Sequence, residues 1–245
     1  GRRSTGDRDD LALPGVQDAL LQAVAAAGKP LVVVLLNGSA VAVNWAAEHA
    51  AAIVEAWYPG EEGGAALADV LFGDYNPGGR LPVTFYKSVD DLPPFRDYRM
   101  AAGHTYRYFK GEPLYPFGYG LSYTTFAYSD LTLSAETISA GESLTVSVKV
   151  TNTGDRAGDE VVQLYVRDVE ASVPVPLRQL QGFTRIHLEP GVQQTVTFTL
   201  APRQMSLIDD AGRRVIEPGV FEVAVGGGQP GTAAAVVTAR FTVAG

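Results

Sequence analysis

The chain changes its hydrophobic rhythm once. Between Gly15 and about Tyr86, apolar residues come either at helical spacing or in short unbroken runs. Val16, Leu20, Leu21, Val24 and Ala27 recur as on one helix face, with Gly28 placed to stop it. Leu31 to Leu36 is continuously apolar and closes on Asn37-Gly38, as expected of a parallel strand buried on both faces. The pattern predicts a second helix from Val43 to about His49 and a strand over Ala52–Trp57. A helix opened by Gly60-Glu61-Glu62-Gly63-Gly64 follows, with Ala66, Leu67, Val70 and Leu71 facing inward and the two glutamates at the positive end of its dipole. Leu81–Phe85 reads as a short strand. The implied fold for this half is an incomplete, layered α/β domain, a mostly parallel sheet with covering helices.

From about Phe126 the period becomes two. Leu144, Val146, Val148 and Val150 alternate with polar residues, as do Val162, Leu164 and Val166, then Val196, Phe198 and Leu200, then Phe221, Val223 and Val225. Turns such as Asn152-Thr153-Gly154-Asp155 and Glu217-Pro218-Gly219 punctuate these runs. Short alternating strands predict an all-β sandwich, and without a cysteine pair the fibronectin type III kind is the better match. The expected domains are 1–125 and 126–245. Residues 87–125 between the two rhythms hold many aromatics, among them Phe95, Tyr98, Tyr106, Phe117 and Tyr123, and are expected to pack as an ordered loop at an interface or a ligand cleft.

Charge narrows the partners. The formal net charge of −8 repels phosphate backbones, so no nucleic acid is expected. No apolar run approaches the roughly 20 residues that span a bilayer, so no membrane partner is expected. The absence of cysteine removes disulfides, thiolate metal sites and cysteine nucleophiles; it fits a periplasmic or secreted protein as well as any other. The chain opens Gly1-Arg2-Arg3 without an initiator methionine and is expected to be a piece of a longer protein.

Candidate chemistry is sparse. His49, His104 and His187 lie far apart, without ligand spacing, and neither a metal nor a cofactor is expected. The carboxylate pairs Asp9/Asp10, Glu61/Glu62, Asp90/Asp91 and Asp209/Asp210 are adjacent; neighbouring side chains diverge, so they read as solvated pairs or caps. Trp57 and Tyr58 at a strand end could stack on the apolar face of a sugar ring or pack in a hydrophobic seam. His104 is a candidate cleft residue, with a packed loop histidine as the plainer reading. Asp7 and Arg8 could pair to orient a catalytic loop or simply tie down the start of the domain.

Long strings carry a resemblance. The stretches Ala56-Trp57-Tyr58-Pro59-Gly60-Glu61-Glu62-Gly63-Gly64, Ala68–Phe85 with its Asn76-Pro77-Gly78-Gly79-Arg80, and Tyr115–Phe126 are similar to the second domain of family 3 glycoside hydrolases. Val161–Asp168, Leu180-Gln181-Gly182-Phe183 and Glu217–Val223 resemble that family's fibronectin type III-like third domain. The resemblance implies an exo-acting retaining β-glucosidase or β-xylosidase that acts on an oligosaccharide or β-glycoside. Its aspartate nucleophile would come from an N-terminal barrel domain, the expected partner of this chain. Where this family's second domain supplies the acid/base glutamate, it lies shortly before a Gly-Asp-Arg. Here that tripeptide is Gly6-Asp7-Arg8, and Gly1–Thr5 hold no carboxylate. The chain is therefore expected to lack both catalytic carboxylates and to be inactive alone. Relatives often carry Arg where His104 stands, which argues against a role needing a permanent cation. A stand-alone carbohydrate- or protein-binding scaffold is the alternative reading.

Overall fold

The computed structural model describes residues 8 and 10–245, and these fall into two compact units. The first unit holds the described residues up to Tyr75 together with Val83–Tyr98 and Lys110–Tyr115. The helical spacing near its start forms α1 (Gln17–Ala25), and Gly28 takes the left-handed φ of +70° that lets the chain turn away. β1 (Val32–Leu35), α2 (Asn44–His49), β2 (Ala52–Glu55) and α3 (Gly63–Phe72) follow. β1 and β2 pair in parallel, Val32 opposite Ala52 and Leu35 opposite Glu55. α3 ends on Gly73 at φ +87°, whose N–H reaches back to the Asp69 carbonyl at 3.1 Å.

Three expectations for this unit are corrected. Only alternate residues of β1, Val33 and Leu35, are buried, while Val32 and Leu36 stand open, so the run is not covered on both faces. On α3, Leu67 and Val70 are half-buried but Ala66 and Leu71 are exposed. Leu81–Phe85 forms no strand; Phe85 alone bridges, antiparallel, to Tyr115. Periodicity reports which residues suit burial, not whether neighbouring chain covers them. The apolar side of α1 makes the same point, with Val16 77% and Leu20 59% exposed.

The second unit holds Asn76–Pro82, Arg99–Phe109 and Pro116–Gly245. After the short helix α4 (Thr105–Tyr108), its strands are β3 (Phe126–Leu133), β4 (Thr137–Ser139), β5 (Leu144–Asn152), β6 (Gly158–Asp168), β7 (Gln179–Leu188) and β8 (Gln193–Leu200). The two-residue pair β9 (Leu207–Ile208) and β10 (Arg214–Val215) precedes β11 (Gly219–Gly226) and β12 (Val236–Ala244). One sheet runs β4-β12-β11-β6-β7 and the other β3-β5-β8. Leu144, Val146, Val148 and Val150 of β5 are fully buried in one core with Val162, Leu164, Val223, Val225 and Phe241 of the larger sheet. Two sheets sharing a core through alternate residues make a β-sandwich, as the period of two predicts.

The segment Asn76–Pro82 is fastened to this sandwich by polar contacts. Asn76 donates to the Ala157 carbonyl at 2.9 Å and accepts from Ser122 Oγ and the Tyr123 N–H. Arg80 meets Glu160 of β6 at 2.5 Å, with the two side chains only 9% and 3% exposed. The other Glu160 oxygen accepts from Tyr128 Oη at 2.6 Å, while Arg80 Nε donates to the Gly227 carbonyl at 3.2 Å. Burial pushes the Glu160 carboxyl above its ordinary range, although Arg80 and Tyr128 both pull it down. Gly227 has to be glycine here, because a Cβ would fall onto the Glu160 carboxylate.

The candidate site at the ends of the parallel strands

In open α/β sheets, ligands and functional groups gather beyond the carboxyl ends of parallel strands. β1 leads there into Asn37 and Gly38, and β2 into Trp57 and Tyr58. Glu55, the last residue of β2, is half-buried and faces inward from an otherwise apolar strand. Its Oε1 accepts from the Trp57 N–H at 3.1 Å and its Oε2 from Asn37 Nδ2 at 3.3 Å. Burial raises the Glu55 carboxyl above its ordinary range, and those two hydrogen bonds only partly oppose it. Asn37 Nδ2 also donates to the Ser39 carbonyl at 2.7 Å, and its Oδ1 is buried without a partner among the described residues.

Trp57 sits at φ +53°, a left-handed conformation that costs a bulky residue about 1–3 kcal/mol. The Glu55 carboxylate on its N–H and the edge of its ring against Phe85, centroids 6.1 Å apart, hold it there. Tyr58 next to it is 77% exposed, and its ring lies against the Gly38 backbone so closely that a Cβ on residue 38 would come within 2.7 Å of Cε2. The arrangement presents one exposed aromatic face beside one clamped indole, with Glu55 as the clamp. Both oxygens of Glu55 are committed, so it positions the turn rather than offering a proton. Replacing Glu55 with Ala strands the Trp57 N–H and is expected to destabilise the first unit by about 1–3 kcal/mol. Intrinsic tryptophan fluorescence should shift with it, and an unchanged spectrum and denaturation midpoint would refute the clamp.

Of the other sequence-predicted residues, Arg8 makes local contacts instead. Asp7 lies outside the described residues. Arg8 is exposed; it donates to the Ala12 carbonyl and stands 3.8 Å from Asp10. Together these contacts hold the local chain. His104 belongs to the second unit, half-buried at the N-cap of α4, with its N–H on the Met100 carbonyl at 3.1 Å. Trp57 and Tyr58 belong to the first unit. The expected packing of the aromatic loop holds for Tyr106, stacked on Phe117 at 4.2 Å, but Phe95 and Tyr98 are exposed. Sequence reasoning passed over Glu55 and Asn37. The usable signal was a lone carboxylate inside Ala52–Trp57, since a charge enters an apolar strand only with partners.

Asp91, Asp209, His49 and His187 serve local structure. Asp91 caps a turn by accepting from the Ser88 N–H, and Asp209 ties its loop to Arg213. His49 donates from Nδ1 to the Trp45 carbonyl at 2.8 Å and stacks on the Trp45 ring at 4.6 Å. His187 meets Asp159 at 2.6 Å, beside Arg185. The hydrogen bond that His187 donates to Asp159 raises the imidazole above its ordinary value. A raised histidine contributes stability that is present below its unfolded value and lost as pH rises through its folded one. An NMR titration should therefore place the His187 midpoint above about 6.5, and Asp159→Asn should return it. A midpoint that ignores that substitution would break the link. No group of three or more metal-ligating side chains occurs among the described residues, and no helix there is long and apolar enough to cross a membrane.

Comparison with known proteins places this geometry. Residues 2–123 match the glycosyl hydrolase family 3 C-terminal domain, and residues 160–229 match a fibronectin type III-like domain. A β-xylosidase of Formosa agariphila is 46% identical over 225 residues, covering 90% of this chain and 31% of its own length. A periplasmic β-glucosidase of Salmonella typhimurium is 45% identical over 230 residues, covering 89% and 30%. The solved structure of a β-glucosidase from Erythrobacter marinus superposes with a TM-score of 0.86 at 42% identity, over 98% of this chain and 31% of that one. The chain thus spans a little under a third of the length of each of these three relatives.

Proposed function

This chain belongs to glycoside hydrolase family 3, and from that membership we propose that it is the C-terminal portion of an exo-acting retaining β-glycosidase. The activity is hydrolysis of terminal β-linked sugars, as a β-glucosidase or β-xylosidase. In this reading residues 1–125 form the layered α/β domain and 126–245 the fibronectin type III-like domain. A barrel domain brings the nucleophile, and the chain is inactive without it.

The observation that carries the reading is how Glu55 and Glu160 are used. Retention needs two carboxylates about 5–5.5 Å apart, facing one glycosidic bond. Glu55 spends both oxygens on the Trp57 N–H and Asn37, and Glu160 spends both on Arg80 and Tyr128. Neither is free for a sugar. What these residues do is fix backbone, which suits a supporting part of an active site completed by another domain. The exposed apolar side of α1 and the open residues Val32 and Leu36 give a barrel something to cover. Within the reading, Trp57 and Tyr58 are candidates for the substrate cleft or for an interface, as are Asp7 and Arg8, and His104 is a separate candidate on the second unit. The test is reconstitution: the chain is assayed on aryl β-glucoside and β-xyloside alone, then with a relative's barrel that carries both catalytic carboxylates.

A further inference from the structure

The sandwich unit contains a cleft of about 320 Å³ that none of the reading above uses. Its volume falls at the lower end of small-molecule sites, roughly 300–1,000 Å³. It lies where α4, the strand ends of β6 and β7, and the β9–β10 pair come together.

The lining is unusual in what it leaves open. Arg107 enters from α4, whose first residue, Thr105, is forced to φ +58°, an outlier for a β-branched side chain. Tyr106 anchors this strained turn, stacked on Phe117 and receiving the Leu180 N–H on its hydroxyl at 3.0 Å. So braced, Arg107 gives Nη2 to Gln179 Oε1 at 2.9 Å, while its Nε is buried with no acceptor among the described residues. That Nε is closed off from the cleft, so what Arg107 offers a ligand there is the outer face of its guanidinium. Asp168 lines the same cleft and uses one oxygen on the Glu170 N–H at 3.2 Å. Gln181 lies within 3.4 Å of Gln179, and Arg214 donates to Ser206 Oγ at 2.8 Å. Tyr108 and Pro174 add apolar faces.

These groups select a ligand class. A purely anionic ligand would face Asp168, and a purely cationic one would face Arg107 and Arg214. A hydroxyl donates and accepts at once, so a ring bearing several hydroxyls can serve the guanidinium, the carboxylate and the amides together. Its C–H face can rest on tyrosine and proline. We propose that this cleft on the sandwich unit binds a neutral sugar ring, with Arg107, Asp168 and Gln179 as its polar contacts.

The proposal rests on the lining alone and reads binding, not hydrolysis, so it stands or falls apart from the glycosidase assignment. The test is an amide NMR titration of the whole chain with D-xylose, D-glucose and xylobiose, with sodium acetate as the anion control. The expected result is saturable shifts at residues of the cleft with at least one sugar, and none with acetate. Asp168→Asn and Arg107→Met should each weaken binding about tenfold, equal to 1.4 kcal/mol. Should Arg107→Met fail to fold, Gln181→Ala takes its place, with an expected loss of at least several-fold. Three results would overturn the proposal: no shifts at the cleft with any sugar, shifts confined to other surfaces, or acetate matching the sugars.

Discussion

Replacing Arg80 with Met is expected to destabilise the sandwich unit by about 3–5 kcal/mol, the usual cost of leaving one member of a buried ion pair alone. Glu160 would keep its place in β6, 3% exposed at the side chain, with Tyr128 and the Val161 N–H left to answer its charge. The guanidinium also donates to the carbonyls of Gly78, Gly79 and Gly227, so its loss frees backbone acceptors as well. Adding Glu160→Gln to that variant removes the orphaned charge while keeping an acceptor for Tyr128 Oη. The double variant should therefore be more stable than Arg80→Met alone, because the penalty comes from an uncompensated charge rather than a lost attraction. Urea denaturation gives the answer: the midpoint should fall for the single variant and partly recover for the double, with the slope unchanged. A single variant within about 0.5 kcal/mol of the parent would mean that the pair is solvated and dispensable.

The largest effect expected is on catalysis. Assayed alone, the chain should release no aryl alcohol above the uncatalysed rate. Glycosidases rely on a nucleophile and an acid/base together, and enzymes as a class gain about 10⁶-fold or more over the uncatalysed reaction. In the proposed division of labour neither group lies on this chain, and that should erase the gain, rather than lower it as a misplaced side chain would. A barrel bearing its own two carboxylates should then form a complex with the chain and regain turnover. The order of events discriminates: capture without turnover would place the fault in cleft geometry, and turnover by the purified chain alone would disprove the proposed division of labour.

How much of this was readable beforehand depends on where each residue's partners lie in the chain. The sandwich was legible because its core is closed within one stretch. Alternation in β5, β6, β8 and β11 points each apolar side chain at another placed by the same rule, and Val146, Leu164 and Val223 are all fully buried. The first unit was legible only as a sequence of elements. Val32 and Leu36 have the composition of core residues, yet they remain open, because hydrophobicity encodes a preference and not the presence of a covering layer. Leu81–Phe85 misled for a related reason: its residues divide between the two units, with Leu81 bonded to Tyr119 and Phe85 to Tyr115. At the candidate site, Trp57 and Tyr58 announce themselves by size. Glu55 could be found only by asking what a carboxylate does at the end of an apolar strand, and the left-handed φ of Trp57 has no signature in residue type.

The way Asn76–Pro82 and Arg99–Phe109 group with the sandwich bears on how such chains can be inherited. A gene exchange with its junction near residue 125 would move every strand of the sandwich and still leave behind Arg80, the counter-ion of Glu160, and Tyr106, whose hydroxyl receives the Leu180 N–H. The recipient would have to supply both residues in register or carry a buried unpaired carboxylate. Recombination should therefore be filtered at two short stretches well upstream of the first strand of the sandwich. The sandwich should descend together with them as one linked unit, despite having the outline of a freely exchangeable module.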